Sequence, residues 1–217
     1  MSANHAAFNL IFRFVENYIS PIAGRISSQR HVMAIRDGFI SAMPFMIVGS
    51  FLLVFAYPPF SPDTTWGFAR AWLDLAKEFE GRILTPFDMT MGIMSIYICA
   101  AISYNLGKHY EKSNQLDPFM CAMLSIMAFL LIAAPKTNGT LPVDSLGGTG
   151  IFTAILVAIY CVEMMRFLKA HNIGIRLPDQ VPPMIKNSFD LLIPVLVVVL
   201  TLYPLSLFIQ HHFDMLI

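Results

Sequence analysis

The sequence predicts an all-α, polytopic membrane protein, on three observations. First, five long apolar stretches cross its 217 residues. A bilayer's hydrocarbon core is ~30 Å thick and needs about 20 apolar residues of helix to cross it, and Gly38–Tyr57 meets this with no charged residue. Second, hydrophobic residues make up 56% of the chain and charged residues only 13%. Soluble domains run at about 45–50% and 25%, so lipid must absorb the surplus. Third, the basic residues fall on alternating sides of the apolar stretches.

The expected spans lie near residues 38–57, 86–107, 118–134, 150–168 and 191–209. Together they make residues 38–217 a transmembrane domain, preceded by a cytoplasmic amphipathic segment, residues 1–37. In that segment Phe8, Ile11, Phe12, Val15, Tyr18, Ile19, Ile22 and Ile26 recur at helical spacing, with Arg13, Glu16 and Asn17 elsewhere on the wheel. Such a helix lies on a leaflet with its arginines near the headgroups, and Pro21 should break or kink it. The segment is charged throughout, without the compact apolar region and small-residue cleavage site of a signal peptide.

Orientation follows from the Lys and Arg placement. Arg13, Arg25, Arg30, Arg36, Lys108, Lys112, Arg166, Lys169, Arg176 and Lys186 share one side, against Arg70, Lys77, Arg82 and Lys136 on the other. Ten of the fourteen basic residues are thus together. The positive-inside rule makes that side cytoplasmic, with the N-terminus inside and the C-terminus outside after five crossings.

The first outer loop opens with Pro58-Pro59, and Thr64 or Thr65 can cap a helix starting near Trp66. Phe68, Trp72, Leu75 and Phe79 form one apolar stripe on it, while Arg70 and Asp74 can pair at i,i+4. An interfacial helix anchored by tryptophan is the preferred reading over a subunit contact. The loop 135–149 is dense in turn signals (Asn138-Gly139, Pro142, Gly147-Gly148), and Asn138-Gly139-Thr140 is read as a turn rather than a glycosylation acceptor. Pro178, Pro182 and Pro183 make the loop 169–188 extended.

Few residues in or near the spans carry chemistry. Cys99, Cys121 and Cys161 are odd in number, widely separated and inside spans, and so read as small apolar packers rather than a disulfide or zinc set. The Met89–Met94 run reads as packing. An ionisable group within a span is a functional candidate, because it costs roughly 2.5–3.5 kcal/mol at the helix centre on insertion scales. Glu163 is one such group, three residues before Arg166, with which it can pair; Asp88, behind Pro86 at the outer start of the second span, is the other. The two lie on opposite sides of the membrane and cannot form one acid–base pair. His5, His31, His109, His171 and His211-His212 fall at termini or loops and form no constellation. No catalytic residue, metal ligand or cofactor motif is predicted, and a zero formal charge predicts no nucleic-acid partner. An intramembrane enzyme built on Glu163 would need a second group positioned with it, and none is visible. Pro44, Pro194 and Pro204 interrupt spans, as in transporters that use broken helices, although purely structural kinks are common.

Several motifs, taken in order, resemble a known family. His31-Val32-Met33-Ala34-Ile35-Arg36-Asp37-Gly38-Phe39-Ile40, then Met43-Pro44, is similar to the opening of the first span in IIC membrane components of the bacterial sugar phosphotransferase system, lactose, cellobiose and diacetylchitobiose class. Thr90-Met91-Gly92-Ile93-Met94-Ser95 resembles the same class. So do Glu163-Met164, Ile175-Arg176-Leu177-Pro178-Asp179-Gln180-Val181-Pro182-Pro183, Ser188-Phe189 and Leu192-Ile193-Pro194. The resemblance implies a disaccharide permease of the bacterial cytoplasmic membrane that works with IIB and IIA subunits, the sugar being phosphorylated from a cysteine of IIB. It also implies that the first five spans make the dimer interface, while later spans and two re-entrant hairpins, with a histidine and a glutamate, make the sugar site. The chain ends at Ile217, where family members continue for about as long again. The expectation is therefore an N-terminal half that pairs as a homodimer, with its substrate-binding residues unknown and placed in the other half. A non-transporting scaffold or accessory subunit derived from such a permease is the alternative. Ser41, Ala42 and Gly49 in the first span, and Ala100, Ala101 and Ser103 in the second, are small residues of the kind that let helices approach in lipid.

Reporter fusions after Lys112 and after Ile217 are expected to read cytoplasm and exterior respectively. Two reporters on one side would mean a miscounted span.

Overall fold

A computed structural model of the chain describes residues 20–134, 142–143, 145–175, 182 and 189–213, with backbone alone for 20–23 and 210–213. The stripe Phe8–Ile19, Arg13, Lys136, the turn at Asn138-Gly139, Arg176, Pro178, Pro183 and Lys186 lie outside the described residues, as do the side chains of His211 and His212. All regular structure among the described residues is helical. The helices are α1 (Ser20–Ser27), α2 (Arg30–Ala56), α3 (Gly67–Phe87), α4 (Met94–Asn114), α5 (Pro118–Ala133), α6 (Ile151–Ala170) and α7 (Leu192–Phe213).

Helix α4 is the hub. It packs against α2, α5 and α6, while α7 lies at the edge against α5 and α6. Its buried residues Ser95, Ile98, Cys99, Ile102, Ser103, Leu106, Gly107 and Tyr110 recur at three- and four-residue steps, as a helix enclosed by neighbours requires. The approach of α2 rests on small residues: Ala34, Gly38 and Ala42 are buried on one face, and a Cβ on Gly38 would run into the Ile102 side chain and lie 2.9 Å from its backbone nitrogen. Lipid tails are as apolar as leucine, so this association depends on close van der Waals packing. The outward side of α2 carries exposed Ile40, Met43, Ile47, Val48, Phe51 and Val54, the surface that lipid is expected to cover.

Several small residues thus serve contacts within the chain. Ala42 is buried against the hub side, Gly49 meets Met91 and Thr90, and Ser103 is fully buried with its Oγ donating to the Cys99 carbonyl at 2.7 Å. Cys99, Cys121 and Cys161 are free thiols, all fully buried, and pack as expected.

The outer helix and the second span are parts of one run. Helix α3 passes through a π-helical turn, Asp88–Gly92, into α4. Pro86 lacks an N–H and its ring crowds the carbonyl four residues back, and a widened turn accommodates the mismatch. Within a membrane the freed carbonyls need donors. Thr90 Oγ1 donates to Pro86 and Phe87 carbonyls at 2.9 and 3.0 Å, and Tyr97 Oη donates to the Met89 carbonyl at 2.8 Å. Tyr97 in turn stacks on Phe45 of α2, ring centroids 4.3 Å apart. The Met89–Met94 stretch is therefore this turn and its exit, and it packs on α2 through Met91.

Details of α3 differ from expectation. Its N-cap is Trp66, with no side-chain cap; Thr64 Oγ1 accepts only a long bond, 3.4 Å, from the Trp66 nitrogen. Arg70 donates to the Thr64 carbonyl at 3.3 Å instead of pairing with Asp74. The cation-first order of Arg70 and Asp74 is the weaker polarity for a helical pair, and the uncapped loop offers an acceptor. The helix packs on the chain through Ala69 and Ala76, leaving Phe68 and Leu75 of the expected stripe exposed.

Helix α2 runs through Pro44, and α7 through Pro204, without a break; Pro194 sits in the first turn of α7. The run 67–114 and helices α2, α6 and α7 are long and apolar enough to cross a membrane. Helix α5, with 16 residues, is shorter, about 24 Å at 1.5 Å per residue. Asp117 caps it by accepting from Phe119 and Met120 nitrogens at 2.9 and 3.3 Å, with Pro118 at its first position, where a missing N–H costs nothing. The segment before α6 folds under the hub: the Leu146 carbonyl accepts from the Ser95 nitrogen at 3.0 Å and from Ser95 Oγ. A Cβ on Gly150 would collide with the Ser145 carbonyl there.

Gly38→Leu is expected to cost about 1–3 kcal/mol by overpacking the α2–α4 contact, read as a lower unfolding midpoint in mild detergent. Gly81→Ala, where a Cβ would meet nothing within 4 Å, should leave the midpoint unchanged or raise it, through a helix preference of up to ~1 kcal/mol. Equal responses of the two variants would remove the packing argument.

Candidate functional site

The richest polar grouping forms at the end of the bundle predicted to be cytoplasmic. Up–down connectivity brings the start of α2 and the ends of α4 and α6 to one level, so His31, Tyr110 and Glu163 meet although 132 residues separate the first from the last. Glu163 Oε1 lies 2.9 Å from His31 Nε2 and accepts from Tyr110 Oη at 2.7 Å. Its other oxygen pairs with Arg166 at 2.8 Å, one helical turn on. Arg166 also donates to Tyr110 Oη at 3.3 Å and lies over its ring, 4.8 Å from the centroid; Arg30 approaches the same ring at 5.4 Å.

The physical logic is that of a carboxylate brought to the edge of a low-dielectric region. An unpaired charge there is costly, whereas one with a cation and two further partners is compensated. The Tyr110 ring is buried while its hydroxyl reaches the carboxylate. Glu163 and His31 keep 26% and 41% side-chain exposure, so solvent screens part of the interaction. Both carboxylate oxygens are engaged, and the group joins three helices. This arrangement orients helix ends.

The expected Glu163–Arg166 pair is present. Two expectations are corrected. His31 is not an isolated terminal histidine, because α2 begins at Arg30 and carries it into the bundle. Glu163 does have further groups positioned with it, His31 and Tyr110. Sequence periodicity could not bring these together, since each lies on a different helix; the one available signal was topology, which puts the first span's start and the second and fourth spans' ends on one side. Asp88 stands apart, exposed in the π-helical turn. His109 is exposed, and His171 bonds only its own helix end, Nδ1 to the Phe167 carbonyl at 2.9 Å. Among the described residues no three His, Cys, Asp or Glu side chains gather to hold a metal.

Beside this group lies a cleft of about 580 Å³ between the α4–α5 turn, the end of α6 and the start of α7. Lys169 braces it, donating to the Gln115 carbonyl at 2.7 Å and pairing with Asp190 at 3.4 Å. Gln115 takes a left-handed conformation, φ 53°, to turn the chain.

Glu163→Ala is expected to destabilise the chain by about 1–2 kcal/mol, below the ~3–5 kcal/mol of a broken fully buried pair, because exposure screens it. A double-mutant cycle of Tyr110→Phe with Glu163→Gln should give a coupling of at least ~0.5 kcal/mol. Strict additivity would show that hydroxyl and carboxylate do not act together.

The sequence and the fold have counterparts among known proteins. The family model described as phosphotransferase system, EIIC, matches residues 36–217. The cellobiose-specific EIIC component of Geobacillus stearothermophilus is 35% identical over 206 residues, covering 86% of this chain and 43% of that protein. The lactose-specific EIICB component of Streptococcus mutans is 33% identical over 196 residues, covering 88% and 33%. The crystal structure of ChbC, the IIC component from the N,N'-diacetylchitobiose-specific phosphotransferase system, superposes with a TM-score of 0.76 at 33% identity, over 93% of this chain and 48% of that one. The chain spans about half the length of ChbC and of the cellobiose relative. A match across five-sixths of the sequence, with the same helical arrangement, settles the family: the chain belongs to the EIIC family of the phosphotransferase system.

Proposed function

We propose that these residues form the N-terminal, dimer-forming part of a IIC permease that carries a disaccharide of the cellobiose, diacetylchitobiose or lactose type across the bacterial cytoplasmic membrane, coupled to its phosphorylation. The observation that carries this reading is the likeness to ChbC over nearly the whole of this chain, at a TM-score of 0.76. Relatives whose names specify cellobiose, lactose and oligo-beta-mannoside support the substrate class. The lactose-specific relatives are EIICB components, which supports a IIB partner as phosphoryl donor, with IIA behind it. The N-terminus is cytoplasmic in this reading, and five spans place residue 217 outside.

The sugar site belongs to the other half of the permease. Transporter sites form near the bilayer midplane at the interface between structural halves. Here the mid-span segments Met46–Phe51 and Leu196–Leu200 are almost wholly apolar. The one hydroxyl among them, Ser50, bonds the Met46 carbonyl of its own helix at 2.8 Å. A disaccharide stripped of water there would leave its hydroxyls unpaired, at roughly 1–3 kcal/mol each.

Calorimetry on the purified 217-residue chain is therefore expected to show no saturable binding of cellobiose, diacetylchitobiose or lactose, while cross-linking the same sample in mild detergent traps a homodimer. Co-expression with the second half of a IIC relative should restore binding. Sub-millimolar binding by the chain alone would place the sugar site in this half and overturn the assignment, and a dimer that never gains binding would favour a scaffold.

A further inference from the structure

Helix α3 crosses the end of α2 instead of running beside it. Trp72 Nε1 donates to the Phe55 carbonyl at 3.2 Å, and Tyr57 Oη donates to Glu80 Oε1 at 2.9 Å. Trp72 and Glu80 are about 12 Å apart along α3 at 1.5 Å per residue, yet they reach Phe55 and Tyr57, two residues apart at the C-terminal end of α2. At the π-helical turn the chain comes back along α2, with Met91 against Gly49. A helix lying across the end of a membrane span lies in the plane of the interface.

Its sides are chemically distinct. Ala69 and Ala76 face the chain, while Arg70, Asp74, Lys77 and Glu78 occupy an exposed polar side. Between them, Phe68 and Leu75 are 61% and 57% exposed, and Trp66 beside them is 60% exposed. Their rings join an edge-to-face cluster: Phe60 meets Trp66 and Trp72 at 5.8 and 5.7 Å, and Phe68 meets Trp72 at 6.0 Å. This apolar side continues onto exposed Phe55, Val54 and Phe51 of α2, on the chain's lipid-facing surface.

We propose that α3 is a membrane-interface anchor, with Phe68 and Leu75 inserted among the outer-leaflet acyl chains and both tryptophans at headgroup depth. The occupant of the exposed apolar side is phospholipid. Three features support this over a second protein copy: the crosswise geometry, continuity with the lipid-facing side of α2, and indole rings at the end of a span, where such rings concentrate. Amphipathic helices of low net hydrophobicity with a charged opposite side bind interfaces in this way.

Trp66 and Trp72 are the chain's two tryptophans, so its indole fluorescence reports on this element alone. The chain is reconstituted in phosphatidylcholine vesicles carrying bromine either at the 6,7 or at the 11,12 positions of one acyl chain. Shallow bromines are expected to quench emission about twofold, and deep bromines less, as for rings in the interface. Single Trp66→Phe and Trp72→Phe variants should each retain shallow-selective quenching. Leu75→Asp should weaken it for the remaining fold, checked by an unchanged helical circular dichroism spectrum. Quenching at least as strong by deep bromines would show α3 crossing the membrane, and absent quenching would show it in water or under protein. Copies cross-linked through Leu75→Cys in the absence of quenching would assign the apolar side to a second subunit. Each of these three results overturns the proposal.

Discussion

The distance between α2 and α4 controls the rest of the bundle. With Ala34, Gly38 and Ala42 on the contact face, the two helices approach until the Ile102 backbone occupies the space a Cβ would need. That proximity lets Phe45 lie flat on Tyr97, which in turn points the Tyr97 hydroxyl at the carbonyl released by the π-helical turn. It also puts the first turn of α2 within reach of Tyr110 and Glu163. In water, burying larger side chains would compensate for a looser fit. In lipid there is no such gain, and packing at short range has to supply the stabilisation.

Polar groups inside the bundle follow the same economy. Ser103 back-bonds within α4, Thr90 and Tyr97 satisfy carbonyls at the helix break, and Tyr160 Oη meets Thr201 Oγ1 at 2.6 Å to tie α6 to α7. Glu163 is the extreme case, since it is charged, and it is met from α2, α4 and its own helix. Each group serves a local need for a partner.

Much of this was legible in the residues. Hydropathy located the helices, because long apolar runs have no other use at this length, and the i,i+3 spacing of Glu163 and Arg166 announced their pair. Family motifs from His31 to Pro194 pointed to the membrane component that the comparisons identify. Three features were not legible. The start of α2 at Arg30 was missed because helix does not end where hydrophobicity ends. The continuity of α3 with α4 was missed because Pro86 reads as a stop, and only tertiary contacts show that a wide turn carries the helix past it. The meeting of His31, Tyr110 and Glu163 was missed because contacts across three helices leave no period in a sequence.

Synthesis runs from the N-terminus, and this gives the Glu163 cluster a place in time. Helices α2 and α4 can dock as soon as both are in the bilayer, because their contact needs nothing downstream. Tyr110 and His31 are then already adjacent, but the carboxylate that joins them arrives more than fifty residues later, with α6. Until it does, Tyr110 and His31 lack the oxygen that they share in the finished fold. Helix α6 therefore brings the shared acceptor, already paired with its own Arg166, and its insertion in the correct register is what joins the ends of the three helices. A span inserted in the opposite direction would carry Glu163 to the far side of the membrane, leaving His31 and Tyr110 without the oxygen that joins them.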